Sequence, residues 1–241
     1  PKIQSLEGIE CFTDLEDLRT PWQDQLTGNL DMTNNTKLYR LWLQHHDLTG
    51  LDISNLPNLR YVIAGGGSMP HGGFGPNLNT TNSSVQELDV SESGLTEIDV
   101  STNMSLYELN VKSNQLTNIN ITNTTLTYLN CNDNPPLTSI DVSGATSLTT
   151  LHSDNNNGYF TLDLSANSAM YHISLENNTN LQLLNLANGN TSGIFILDTT
   201  FTTNTQNNLV IKVDASFYTS TSGGTNLPAN WSVQTGTTFI T

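Results

Sequence analysis

The sequence is poor in cations, aromatics, cysteine and long apolar runs, and each shortage removes a class of protein. Of 241 residues only 7 are Lys or Arg, against 22 Asp or Glu, giving a formal charge of −15. A phosphate backbone would be repelled by that excess, as would an anionic membrane surface, so neither is expected as a partner. No apolar run reaches about 18 residues, so nothing reads as a membrane-spanning helix. No charged n-region followed by an apolar h-region opens the chain, so no signal peptide is visible. A trimmed secreted chain would look like this, and so would a cytoplasmic one.

Two cysteines, Cys11 and Cys131, leave the redox compartment open. Both sit in apolar patterns, where a free thiol serves as a small buried hydrophobe. Five repeats at roughly 4.8 Å each would separate them by about 24 Å, too far for a disulfide. Hydrophobic residues make up only 35% of the chain and aromatics 7%, which is thin for a two-layer core. Charged residues are only 12%, which argues against a charged disordered chain. Thr (34) and Asn (32) fill the gap. Asn competes for backbone hydrogen bonds inside helices and Thr is stiff at χ1, so the chain suits turns and short strands. A solenoid, which buries a thin apolar stripe, fits both facts.

The sequence repeats itself. Leu106-Tyr-Glu-Leu109-Asn-Val111-Lys-Ser-Asn114-Gln-Leu116 aligns with Leu126-Thr-Tyr-Leu129-Asn-Cys131-Asn-Asp-Asn134-Pro-Pro-Leu137, with one residue inserted. A second phrase follows in phase: Leu95-Thr-Glu-Ile98-Asp-Val100, Leu116-Thr-Asn-Ile119-Asn-Ile121, Leu137-Thr-Ser-Ile140-Asp-Val142. Repeats start at Leu15, Leu38, Leu59, Val85, Leu106, Leu126, Leu148 and Met170, with a degenerate unit at Ile194. Alternation at Leu109/Val111 points those side chains inward and Asn110 outward. Asn114, Asn134, Asn156 and Asn178 recur three residues after the strand, where an inward amide can serve backbone groups of the turns above and below. Helical periodicity is missing from the second phrase, so the convex side is expected to be short strands and turns.

These phrases resemble leucine-rich-repeat proteins, in particular the helix-poor type of Bacteroidota (flavobacterial) surface proteins. The opening Ile3-Gln-Ser-Leu6-Glu-Gly-Ile9-Glu-Cys11-Phe12-Thr-Asp-Leu15 is similar to the entry repeat of that group and of internalins. The tail from Lys212-Val-Asp214 through Asn230-Trp231-Ser232 to Phe239 resembles the segment that closes such arrays. The resemblance implies an extracellular or cell-surface location and a role in adhesion or recognition. The expected fold is an all-β-rich, right-handed leucine-rich-repeat solenoid of about eight turns of 20–26 residues. Its N-terminal cap is expected over 1–14, the array over 15–199 with a Gly-rich insert at 65–76, and a β cap over 200–241.

In leucine-rich-repeat proteins the outward face of the first strands is the usual binding surface. Its central ladder here is Trp42, Ile63, Asp89, Asn110, Asn130, His152 and Ser174. Two residues earlier run Arg40, Tyr61, Glu87, Glu108, Tyr128, Thr150 and His172, and beyond it Gln44, Ala64, Ser91, Lys112, Asn132, Asp154 and Glu176. Aromatics among amides and carboxylates suit a protein or glycan ligand. From these the candidate ligand-binding set is Arg40, Trp42, Tyr61, Glu87, Asp89, Glu108, Asn110, Tyr128, Asn130, His152 and His172. The bland alternative is a solvated strand face, and a further one is a spacer, fibre or coat component contacting itself or a parent polypeptide.

A second ladder, Asp31, Asp52, Asp99, Asn120, Asp141, Asp163 and Asn185, is read as turn caps, with Ca²⁺ as the alternative. No EF-hand or nonapeptide calcium loop is present, so no cofactor is expected. His45-His46-Asp47 lacks metal-site spacing. The insert has no phosphate-loop lysine, and no nucleophile elbow or H-E-x-x-H motif occurs, so no enzyme is expected. Nine N-x-S/T sequons follow from composition alone.

Overall fold

A computed structural model describes residues 2–66, 74–122, 125–190, 196–198, 209–214, 231–232 and 238–240. Most of the Gly-rich insert, at 67–73, and most of the expected C-terminal cap therefore lie outside the described residues. The chain divides into two compact units, Pro1–Leu116 and Thr117–Thr241. Apart from a 3-10 turn at Ile9–Cys11, the regular elements among the described residues are short strands.

In the first unit, strands Asp17–Arg19, Arg40–Trp42, Tyr61–Ile63, Glu87–Asp89 and Glu108–Asn110 pair in parallel, rung by rung. A second parallel sheet joins Thr27–Asp31, Asp47–Asp52 and Leu78–Asn79. The second unit repeats the plan. Tyr128–Asn130, Thr150–His152, His172–Ser174, Ile196–Asp198 and Trp231–Ser232 form its first-strand sheet. On its other side Asn118–Asn120 pairs with Ser139–Asp141, and Thr161–Asp163, Leu183–Leu186, Val210–Val213 and Thr238–Ile240 form a four-stranded ladder. Each expected repeat start lies two residues before a first strand, including the degenerate one at Ile194, whose strand is Ile196–Asp198.

The cause is the alternation. Mid-strand residues Leu41, Val62, Leu88 and Leu109 in the first unit, and Leu129, Leu151 and Ile173 in the second, are 2% exposed or less. Each such side chain contributes roughly 1.5–3 kcal/mol by leaving water. A turn buries its own stripe only against the turns on either side, which is why the repeats stack. At Gly158 the turns approach so closely that a Cβ would lie 2.1 Å from the Leu137 carbonyl oxygen, so only glycine fits.

The corner after the first strand is held by buried amides, as their recurrence suggested. Asn114 Nδ2 donates to the carbonyls of Val90 (3.0 Å) and Val111 (2.9 Å), and its Oδ1 accepts from the N–H groups of Ser93 (3.1 Å) and Leu95 (2.9 Å). In the second unit Asn156 Oδ1 accepts from Asn134 N–H at 2.6 Å, and Asn178 Oδ1 accepts from Asn156 N–H at 2.9 Å. A second buried series, Asn35, Asn103 and Asn167, four residues after Asp31, Asp99 and Asp163, does the same at the opposite corner. Asn103 donates to Thr80 and Ser83 carbonyls, and Asn167 to those of Val142 and Ala145.

Three expectations need correction. Ala64 faces inward and is 0% exposed, and Ser174, in the outward register, is only 8% exposed, its Oγ donating to Asp154 Oδ1 at 2.6 Å. The outward register beyond Ile63 falls on Gly65, where a Cβ would sit 2.6 Å from the Ser91 carbonyl oxygen, so that rung is bare. Cys11 is exposed because it ends the 3-10 turn on the surface, whereas Cys131 is buried; both are free thiols. Burial pushes the Cys131 thiol up to about 12, which makes it inert.

Candidate functional site

All eleven candidate residues lie in outward registers of their strands, and none belongs to the core. In the first unit, the Arg40 guanidinium lies 5.7 Å from the Tyr61 ring centroid, a cation–π distance. It also donates to Asp17 Oδ2 at 3.3 Å. Tyr61 meets Tyr39 edge-on at 5.3 Å. Trp42 Nε1 donates to Gln44 Oε1 at 2.7 Å, which fixes the indole on the face. Glu87 accepts from the Tyr107 hydroxyl, and the carboxylate so close pushes that phenol up to about 12. Partial desolvation, then the charges of Glu87 and Asp89, raise the Glu108 carboxyl above its usual range.

In the second unit the aromatics run diagonally across the rungs. Tyr128 and His152 have centroids 5.6 Å apart, and His152 and His172 stand edge-to-face at 4.8 Å. Burial, then the neighbouring His172, lowers the His152 imidazole below its ordinary value.

Three of the eleven also have a turn-holding task. Asp89 Oδ1 accepts from Ser91 N–H (3.0 Å) and Oγ (2.7 Å), Asn110 Oδ1 from Lys112 N–H (3.2 Å), and Asn130 Oδ1 from Asn132 N–H (3.2 Å). The same turn closes the second strands. Asp31, Asp52, Asp99, Asp141 and Asp163 each accept from the N–H two residues on at 2.8–3.0 Å. Hydrogen bonds from Thr33, Ser101 and Ser143 hold Asp31, Asp99 and Asp141 below the usual carboxylate range.

His46 takes a structural place that its sequence context concealed. It sits six residues after the start of its strand, where Asn114 sits in its own repeat. It is fully buried: Nδ1 accepts from Leu48 N–H at 3.1 Å and Nε2 donates to the Ala64 carbonyl at 3.1 Å. With both ring nitrogens engaged it is a substitute for the ladder amide rather than a ligand or base. Its ring lies 5.0 Å from that of buried Phe74.

Sequence reasoning missed large side chains that stand just before four of the first strands: Tyr39, Arg60 and Tyr107 in the first unit and Tyr171 in the second, with Tyr39 and Tyr171 exposed by 43% and 50%. Tyr39 and Tyr107 border the face through Tyr61 and Glu87, whereas the Arg60 guanidinium donates to the Pro57, Leu59 and Ser84 carbonyls; their signal was only the recurrence of Tyr and Arg one residue ahead of the ladder.

A chain built of paired parallel strand ladders at a 20–26-residue period, with amide-lined corners, is a leucine-rich-repeat solenoid. The fold is that of internalin C2 from Listeria monocytogenes, with a TM-score of 0.52 and 18% identity over 96% of this chain and 84% of that one. The functional domain of InlJ from Listeria monocytogenes is 26% identical, with a TM-score of 0.40, over 87% of this chain and 60% of that one. No protein-family model and no curated protein matches the sequence.

Proposed function

We propose that this is an extracellular recognition or adhesion module, without catalytic activity, that binds a protein through the outward first-strand face of its first unit. The observation that carries the reading is the residue content of that face. Arg40, Trp42 and Tyr61 stand side by side, with Tyr39 on the border, in a chain that has only three arginines and three tryptophans. Tyr, Trp and Arg dominate the binding energy of protein interfaces, because they bring large area and directed polar groups at small entropic cost. The surface location and the flavobacterial resemblance stay part of this proposal and rest on the repeat phrases.

The test is an array of extracellular proteins probed with the wild type, with an Arg40→Ala/Trp42→Ala/Tyr61→Ala variant, and with an Asn118→Ala/Ser139→Ala/Thr161→Ala variant altered on the second strands. The first triple variant should lose any hit and the second keep it. The opposite result, or ordered self-association of the wild type with a silent array, would favour the spacer or coat reading instead.

A further inference from the structure

The residue five after the start of each first strand from Asp17–Arg19 to His172–Ser174 adopts a left-handed backbone. In the first unit these are Trp22 (φ 61), His45 (φ 57), Gly66 (φ 80), Glu92 (φ 54) and Ser113 (φ 56); in the second, Asp133, Asn155 and Asn177 do likewise. Gly, Asn, Asp and short polar residues tolerate this conformation, whereas it is costly for a bulky side chain. His tolerates the left-handed region better than most residues, but the choice of Trp at the first corner works against local stability.

Those two side chains form one object. The Trp22 and His45 rings are stacked, with centroids 3.9 Å apart and planes inclined by 13°. Beneath them Gly66 offers no side chain, and a Cβ there would touch His45 at 3.4 Å. Trp22 N–H donates to the Gln44 carbonyl at 2.8 Å, which fixes the indole's backbone to the next turn. With one face against His45, Trp22 is still 67% exposed, the highest value among the exposed large hydrophobics. Its turn follows the first strand of the ladder, so no earlier rung covers the other face.

We propose that the Trp22 platform is a binding site for a neutral saccharide ring. A flat, immobilised indole face matches the C–H face of a pyranose, which is apolar at its centre and hydroxylated at its rim. Polar side chains close by in the chain are Gln44, one residue before His45, and Arg19, three residues before Trp22 and paired with Asp17 at 2.6 Å. A chain of net charge −15 disfavours an anionic planar ligand such as a nucleotide. The stacked pair itself, Trp22 on His45, lies on the corner beyond the strand and includes none of Arg40, Trp42 and Tyr61.

Affinity electrophoresis in native gels containing xylan, β-1,3-glucan, mannan or glycol chitin tests the idea. At least one polymer should retard the wild type, Trp22→Ala should weaken that binding about tenfold, and Phe160→Ala, which alters an exposed aromatic of the second unit, should keep it. Trp22→Gly, which suits the left-handed corner, should bind as poorly as Trp22→Ala and melt no lower than the wild type. No retardation of the wild type by any of the four polymers overturns the proposal. So does a Trp22→Gly variant that melts several degrees lower, because Trp22 would then be a folding residue.

Discussion

Asn156→Ala is the substitution that most directly probes what holds the turns together. The Asn156 side chain is fully buried. Its Oδ1 accepts the Asn134 N–H at 2.6 Å, and its Nδ2 donates to the Cys131 carbonyl at 3.0 Å and to Ser153 Oγ at 2.9 Å. Alanine leaves the Asn134 N–H without this acceptor and takes a donor from both oxygens. Cys131 O keeps the Asn134 amide at 3.0 Å, so it is only partly deprived. A buried group left unsatisfied costs about 1–3 kcal/mol. The lost acceptor at the Asn134 N–H and the lost donors at the Ser153 hydroxyl and the Cys131 carbonyl put the cost at about 3 kcal/mol. Urea unfolding followed by circular dichroism measures it, with exposed Asn118→Ala as control, expected within about 0.5 kcal/mol of wild type. If Asn156→Ala cost no more than Asn118→Ala, the amide ladder would be an ornament of the repeat rather than its fastening.

Two further predictions follow from burial. Leu109, fully buried, should lose about 2–5 kcal/mol on change to Ala, whereas half-buried Trp42→Ala should cost about 1 kcal/mol or less; thermal melts of the two compare them. His46 is kept neutral because burial lowers its imidazole pKa. The unfolded chain takes up a proton there near pH 6.5 and the folded one only below that. Stability should therefore fall as pH drops from about 6.5 towards the folded value, and His46→Asn should flatten that slope in melting temperature against pH.

The sequence made the repeat starts, the inward leucines and the first amide corner legible, because period-2 alternation and a fixed Asn offset each have a single physical reading. Other features were concealed by context dependence. Asp89, Asn110 and Asn130 look like surface ligands, but an outward carboxyl or amide at a strand end also caps the next turn. His46 stands where other repeats carry Asn or Ser, and nothing in His45-His46-Asp47 shows that a ring can satisfy the same backbone groups. Ala64 directly follows outward Ile63, so strict alternation turns it inward, and the outward register passes to Gly65, which carries no side chain to mark it. Trp22 was passed over because it follows a strand rather than lying on one; only the backbone angle and the His45 stack bring it out.

The central claim is that the repeat phase separates an outward aromatic face from the core. Hydroxyl-radical footprinting read by mass spectrometry tests it residue by residue. Trp22, 67% exposed, should oxidise faster than half-buried Trp42 and Tyr61, and Tyr159 (1%) and Phe74 (0%) should be protected. Oxidation of Tyr159 and Phe74 at rates matching Trp42 and Tyr61 would contradict the register, and with it the assignment of the binding face.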